Sequence, residues 1–203
     1  MLIGTTYIYP LLPEQIASHW NSVGQIDGHL SKFWGAFLVP IITIILLPLL
    51  YFLPQIDRKK QNIKQFASAY NWLIFTIILY LTYIQTLILL TNLNIQINIA
   101  SAIYGGIGIL LFTIGFFLKK MKQNWLIGIR TPWTLRSEVV WNKTHQKGAT
   151  VFKIIGIITI ISSFAQSYAI GLILTTILIG IIYLFVYSYR QYKKEKKQQL
   201  KNN

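Results

Sequence analysis

Cysteine is absent from the 203 residues, which excludes disulfides, thiolate catalysis and cysteine-held zinc. Charge is scarce: only 12% of residues are Asp, Glu, Lys or Arg, against 54% hydrophobic. A soluble domain of this length covers its core with roughly 25% charged side chains, so this composition points to a membrane. A secretory leader is not legible at the start. No basic segment precedes "MLIGTTYIYPLL", and that apolar stretch is short and holds a proline. No internal repeat stands out.

What the chain does have is five long apolar runs: Phe33–Leu53, Trp72–Leu90, Ile99–Leu118, Ala149–Ala165 and Tyr168–Tyr189. Each matches the roughly 17–25 residues a helix needs to cross about 30 Å of hydrocarbon. Four hold no ionisable acid, lysine, arginine or histidine; the fourth run holds only Lys153, close enough to its start to reach the headgroups. Unpaired backbone is not tolerated in lipid, so these runs are expected to be helices.

The net charge is +14, with pI near 10.0. Its placement explains it better than nucleic acid does. Apart from Lys32 and Lys153, every basic residue lies in the connection 54–66, the connection 119–148 or the tail from Arg190. The intervening connections, 91–98 and 165–168, are uncharged. This alternation places the N-terminal segment outside and the 119–148 loop and the tail in the cytoplasm. The expected organisation is an extracytoplasmic segment (1–32), a three-helix membrane region (33–118), a cytoplasmic loop with a short amphipathic helix (119–148), a transmembrane hairpin (149–189) and a basic, partly disordered tail (190–203) suited to anionic lipid.

Within the N-terminal segment, Pro10, Pro13, Asn21, Gly24, Asp27 and Gly28 favour turns, with a short helix expected over Glu14–Trp20 and a tight turn at "GQIDG". Lys32 and Trp34 suit an interfacial anchor. Glu14, His19, Asp27 and His29 match no metal-ligand spacing. In the second run Gln85 is expected to hydrogen-bond to a neighbouring helix. Ser101/Gly105 and Ala102/Gly106 are expected to let the third helix pack closely at the centre of the bundle.

The 30-residue connection 119–148 is long for a mere linker. Thr131-Pro132 favours an extended start. A helix is expected through 134–148, capped by Thr134 or Ser137, with Glu138 in its first turn and Lys143, His145 and Lys147 before Gly148. Glu138, Trp141, Asn142 and His145 would share one face, with Leu135 and Val139 beside them, and Trp141 would rest in the interface as the helix lies along the inner leaflet. His145 and Glu138 lack a third metal ligand, and the hydroxyls lack a nucleophile turn. Two readings stay open: Arg130, Arg136, Trp133 and Trp141 form a partner-binding surface, or Arg130, Trp133 and Glu138 lock the loop to its own bundle.

"IGIRTPWTLRSEVVWNKTHQKGA" resembles the signature of the SdpI-like membrane proteins, IGIRTPWTL-x-SE-x-VW-x-x-TH-x-x-G. It matches at Gly128, Arg130, Thr131, Pro132, Trp133, Thr134, Leu135, Ser137, Glu138, Val140, Trp141, Thr144, His145 and Gly148. "LPEQIASHWNSVGQIDGHLSK" is similar to an uncharacterised domain that often precedes it, matching at Leu12, Pro13, Ile16, His19, Trp20, Gly24, Asp27, Gly28, Ser31 and Lys32. The two together cover nearly the whole chain.

The resemblance implies an all-α, multi-pass protein of the bacterial plasma membrane without cofactor, metal or catalysis. Its expected role is immunity to a secreted, membrane-active peptide toxin, and the founding member also holds a repressor at the membrane. Pro13, His19, Trp20, Gly24, Asp27, Gly28 and Lys32 would face the toxin. Arg130, Thr131, Pro132, Trp133, Glu138, Trp141 and His145 would bind the partner or lock the loop. A homo-oligomer is compatible with it. Relatives usually have six spans, their first preceding the outer segment; here "MLIGTTYIYPLL" is a stub of it, so either five spans or a trimmed start is expected. The alternatives are a small transporter or channel, or an assembly subunit docking through the tail.

Overall fold

The computed structural model describes residues 1–201, Gln166 by its backbone alone. In chain order the elements are α1 (Leu2–Ile8), strands β1 (Gln15–Trp20) and β2 (Ile26–Ser31), α2 (Lys32–Phe52), α3 (Lys60–Gln65), α4 (Ala67–Asn92), α5 (Ile99–Leu118), α6 (Pro132–Arg136), α7 (Glu138–Ser162) and α8 (Ala169–Lys201). Among the described residues four helical stretches are long and apolar enough to cross a membrane: Lys32–Gln55, α4, α5 and α8. α7 is not among them. The apolar run expected at Ala149–Ala165 is only its second half, and the first half carries Glu138, Lys143 and Lys147.

α5 and α7 pack antiparallel through a seven-residue repeat of small residues. Ser101 Oγ donates to the Ser163 carbonyl at 2.7 Å. A Cβ on Gly108 would lie 2.8 Å from the Gly156 oxygen, and one on Gly115 would lie 2.8 Å from the Ala149 oxygen. The contacts therefore repeat at 101, 108 and 115 against 163, 156 and 149, which brings the two backbones together where side chains would hold them apart. The stripe expected at Ser101/Gly105 and Ala102/Gly106 is thus only partly used: Gly106 faces α4, where a Cβ would meet the Tyr83 ring at 2.6 Å.

Gln85 does what its position in an apolar helix suggests. It is 2% exposed, and its Nε2 donates to Thr5 Oγ1 at 3.1 Å and to the Ala36 carbonyl at 2.9 Å, so one amide joins α4 to α1 and α2.

Three expectations are corrected. Residues Glu14–Trp20 are not a helix: Gln15–Trp20 is a strand paired antiparallel with Ile26–Ser31, so the fold is helical with one two-stranded hairpin and not all-α. The helix of the 119–148 loop does not end at Gly148 or lie apart as a surface element; it begins at Glu138 and continues into the apolar half as one 25-residue helix. The tail is helical as far as Lys201, a direct continuation of α8; its last two residues lie outside the described ones.

Candidate functional site

The two motifs stand at opposite ends of the bundle, the hairpin beside the start of α2 and the end of α4, the signature at the other end. The hairpin is fixed mostly through backbone. Asn21 Oδ1 accepts from the amides of Val23 and Gln25 at 3.1 and 3.0 Å, which sets the turn. Gly24 takes φ +86°, a conformation that suits glycine. The Asn92 side chain at the end of α4 then acts as a further strand. Its Oδ1 accepts from Ala17 N at 2.8 Å, and its Nδ2 donates to Ala17 O at 3.1 Å. Ile16 packs into the space left by Gly35, where a Cβ would lie 2.3 Å from the Ile16 Cβ.

This frame leaves the polar residues of the hairpin outward. His19 Nδ1 meets Asp27 Oδ1 at 2.5 Å across the strands, with side chains 73% and 43% exposed. Gly28 sits opposite His19, where a Cβ would come within 2.9 Å of the His19 Cβ. Lys32 reaches Glu14 at 3.3 Å and lies over the Tyr9 ring. Pro13 is exposed and Trp20 partly buried. Among the described residues no three His, Asp or Glu side chains converge on one point.

At the signature end the motif turns inward. Gly128 takes φ +109° and leaves room for the ring of His145; a Cβ there would lie 2.4 Å from His145 Nε2. That Nε2 accepts from the Ile129 amide at 3.0 Å, while Nδ1–H donates to the Trp141 carbonyl at 2.9 Å. Both ring nitrogens are thus satisfied by a neutral imidazole. Burial pushes the His145 pKa down to about 4, partly offset by the bond to the Trp141 carbonyl. The His145 ring stacks on Trp141 at 4.0 Å. Trp141 is fully buried, its Nε1–H donating to the Met121 carbonyl at 2.8 Å, among Phe66, Tyr70 and Leu118. It is therefore a core residue and not the interfacial anchor expected of it.

α6 is held by a reciprocal cap: Thr131 Oγ1 accepts from Thr134 N at 3.2 Å, and Thr134 Oγ1 accepts from Thr131 N at 2.8 Å. Thr131 also donates to Ser188 on α8 at 3.1 Å. Trp133 packs against Phe185 and Tyr189 of α8, its ring 4.8 and 5.0 Å from theirs. Ser137 caps α7 by accepting from Val140 N at 3.2 Å, and Glu138 lies exposed in the first turn. Pro132, Arg130 and Arg136 are also exposed. Arg130 Nη1 donates to the Trp125 carbonyl at 2.8 Å.

Sequence reasoning missed the partners that hold this loop. Asp57 is 4% exposed, with Oδ1 accepting from Lys59 N at 2.6 Å and Oδ2 from Trp125 N at 2.8 Å. Gln123 receives Lys59 Nζ at its Oε1 and donates through Nε2 to the carbonyls of Thr134 at 2.7 Å and Leu135 at 3.0 Å. Asn62 donates to the Gln123 carbonyl at 2.8 Å. Asn124 Oδ1 accepts from Leu126 and Ile127 at 3.0 and 2.6 Å. One signal was available: Asp57 is the single acid in the strongly basic connection 54–66.

Comparison with known proteins agrees with both motifs. The SdpI/YfhL protein family matches residues 120–188, and a domain of unknown function, DUF1648, matches residues 1–44. A protein of Bacillus subtilis (strain 168) named Immunity protein SdpI is 31% identical over 188 residues, covering 92% of this chain and 88% of that protein. The chain belongs to the SdpI/YfhL family. It is a membrane protein of this immunity family, with the DUF1648 segment as its hairpin end. No solved structure matches it.

Proposed function

We propose that the chain protects a bacterial plasma membrane from a secreted, membrane-active peptide, by binding and without chemistry. The observation that carries this reading is near full-length similarity to a protein named for immunity, with both motifs in the same chain. The basic connections support a cytoplasmic signature end and tail and an outer hairpin. The apolar run from Ala149, the second half of α7, is the fifth span, and it runs alongside α5 as far as Ser163. The exposed His19–Asp27 pair and its neighbours then face the peptide. Challenge of toxin-sensitive cells expressing the chain with a panel of secreted peptides tests this, read as survival and membrane potential. Protection against at least one peptide is expected; none across the panel overturns the reading.

A second role, holding a repressor at the inner face, is supported by one feature. Arg130, Arg136 and Glu138 remain exposed, while Thr131, Thr134, Trp141 and His145 are buried. With a repressor supplied, the Arg130→Ala/Arg136→Ala variant is expected to insert normally yet lose the membrane-bound repressor; retention of the repressor in that variant removes this role.

A further inference from the structure

Where α2 ends and α4 begins, the six-residue α3 leaves a cleft of about 390 Å³. Lys60 and Lys64, one helical turn apart on α3, both line it and both are exposed. Among the described residues the two ion pairs are at the hairpin end, so neither lysine has a carboxylate partner. The nearest acid in sequence, Asp57, is occupied by the amides of Lys59 and Trp125. Most of the remaining wall is apolar, with Ile63 and Ile74 from the core and the exposed ring of Tyr51, beside the amides of Gln55 and Asn71. Tyr70 presents only its ring, because its hydroxyl donates to the Leu50 carbonyl at 2.5 Å. The depth is that of a membrane interface: one candidate span ends at Gln55 and the next starts at Ala67. Trp72 stands exposed beside the cleft.

Two unpaired ammonium groups above an apolar slot at this depth suit a ligand with an anionic head and a hydrocarbon tail. We propose that the cleft holds one anionic phospholipid, its phosphate between Lys60 and Lys64 and an acyl chain descending past Tyr51 and Ile74. Free phosphate would leave the slot empty. A zwitterionic lipid carries its own cation to the same two lysines. The site differs from diffuse attraction at the tail because it combines a fixed pair of charges with a shaped wall.

The test uses the full chain in detergent, titrated with phosphatidylglycerol, phosphatidylcholine or inorganic phosphate, with bound lipid counted by native mass spectrometry. Lys60→Gln/Lys64→Gln is expected to weaken phosphatidylglycerol binding about 30-fold, while Lys194→Gln/Lys197→Gln in the tail changes it by less than about threefold. Ala67→Trp, which fills the slot from an exposed position and leaves the charge unchanged, is expected to abolish the same bound lipid. Phosphatidylcholine retained as well as phosphatidylglycerol, displacement by phosphate, equal loss in the tail variant, or full binding by Ala67→Trp would each overturn the site.

Discussion

At the hairpin end the polar motif side chains His19 and Asp27 face outward, and what fixes the hairpin lies elsewhere in the chain, in Asn92 and Gly35. At the signature end Thr131, Thr134, Trp141 and His145 are themselves buried, and what they fix is the chain around them. The hairpin shows its polar pair on a frame; the signature buries part of its own distinctive residues. Density of distinctive residues therefore does not by itself mark a contact surface. A run of aromatic and polar side chains can be distinctive because each must fit one buried place.

The largest effects should come from disturbing those buried residues. Gly128→Ala forces a side chain into the φ +109° conformation and against the His145 ring, and a loss of about 4 kcal/mol is expected, seen as failure to yield a monodisperse protein in detergent. Trp141→Ala leaves a cavity and orphans the Met121 carbonyl, at about 3–5 kcal/mol. Trp141→Phe keeps most of the packing and loses only the Nε1 bond, so a smaller cost of about 1–2 kcal/mol is expected; equal melting losses in the two variants would remove packing as the cause.

Acid sharpens the comparison next. His145 is neutral in the folded chain, with a pKa near 4 against 6.5 unfolded. Above pH 6.5 neither state is protonated and nothing is lost. As pH falls from about 6.5 to about 4 the unfolded chain takes up the proton first, which costs up to about 3 kcal/mol of stability. Melting of the wild type should fall over this window more steeply than melting of His145→Gln. Parallel curves would mean that other groups carry the acid sensitivity.

The hairpin should respond locally. Asn92→Ala removes both bonds to Ala17, at about 1–3 kcal/mol, with faster amide exchange in β1 and unchanged exchange around His145. Asp27→Asn should move stability by no more than about 0.5 kcal/mol, as for most exposed substitutions, yet reduce protection against a toxin. A fall in stability without a fall in protection would exchange the roles assigned to the two ends.

Four of the five expected membrane stretches were legible because apolar runs of sufficient length have few alternative fates, and Gln85 because a lone amide in such a run needs a partner. The hairpin was hidden for a physical reason. β1 is short, its register slips at His19, and its second edge is completed by Asn92, 75 residues away in sequence. Gly148 read as a helix stop because glycine commonly follows one. It lies within α7 for a tertiary reason: a Cβ there would come within 2.3 Å of Ile129 Cδ1. The signature stood out as a string, but its burial did not, because Asp57, Gln123 and Ser188 carry no motif. The burial of Thr131, Trp141 and His145 became visible only once those neighbours were placed.

The unbroken course of α7 ties the two ends mechanically. Its 25 residues form a rod about 37 Å long, with Trp141 and His145 clasped near one end and Ser162 near the other. Its antiparallel seam with α5 has backbone against backbone at Gly108, Gly156 and Gly115, so there is little compliant side chain between the two helices to absorb a displacement. A displacement at the hairpin end of this pair is therefore carried along α7 toward the clasp at the other end, with little side-chain slack between.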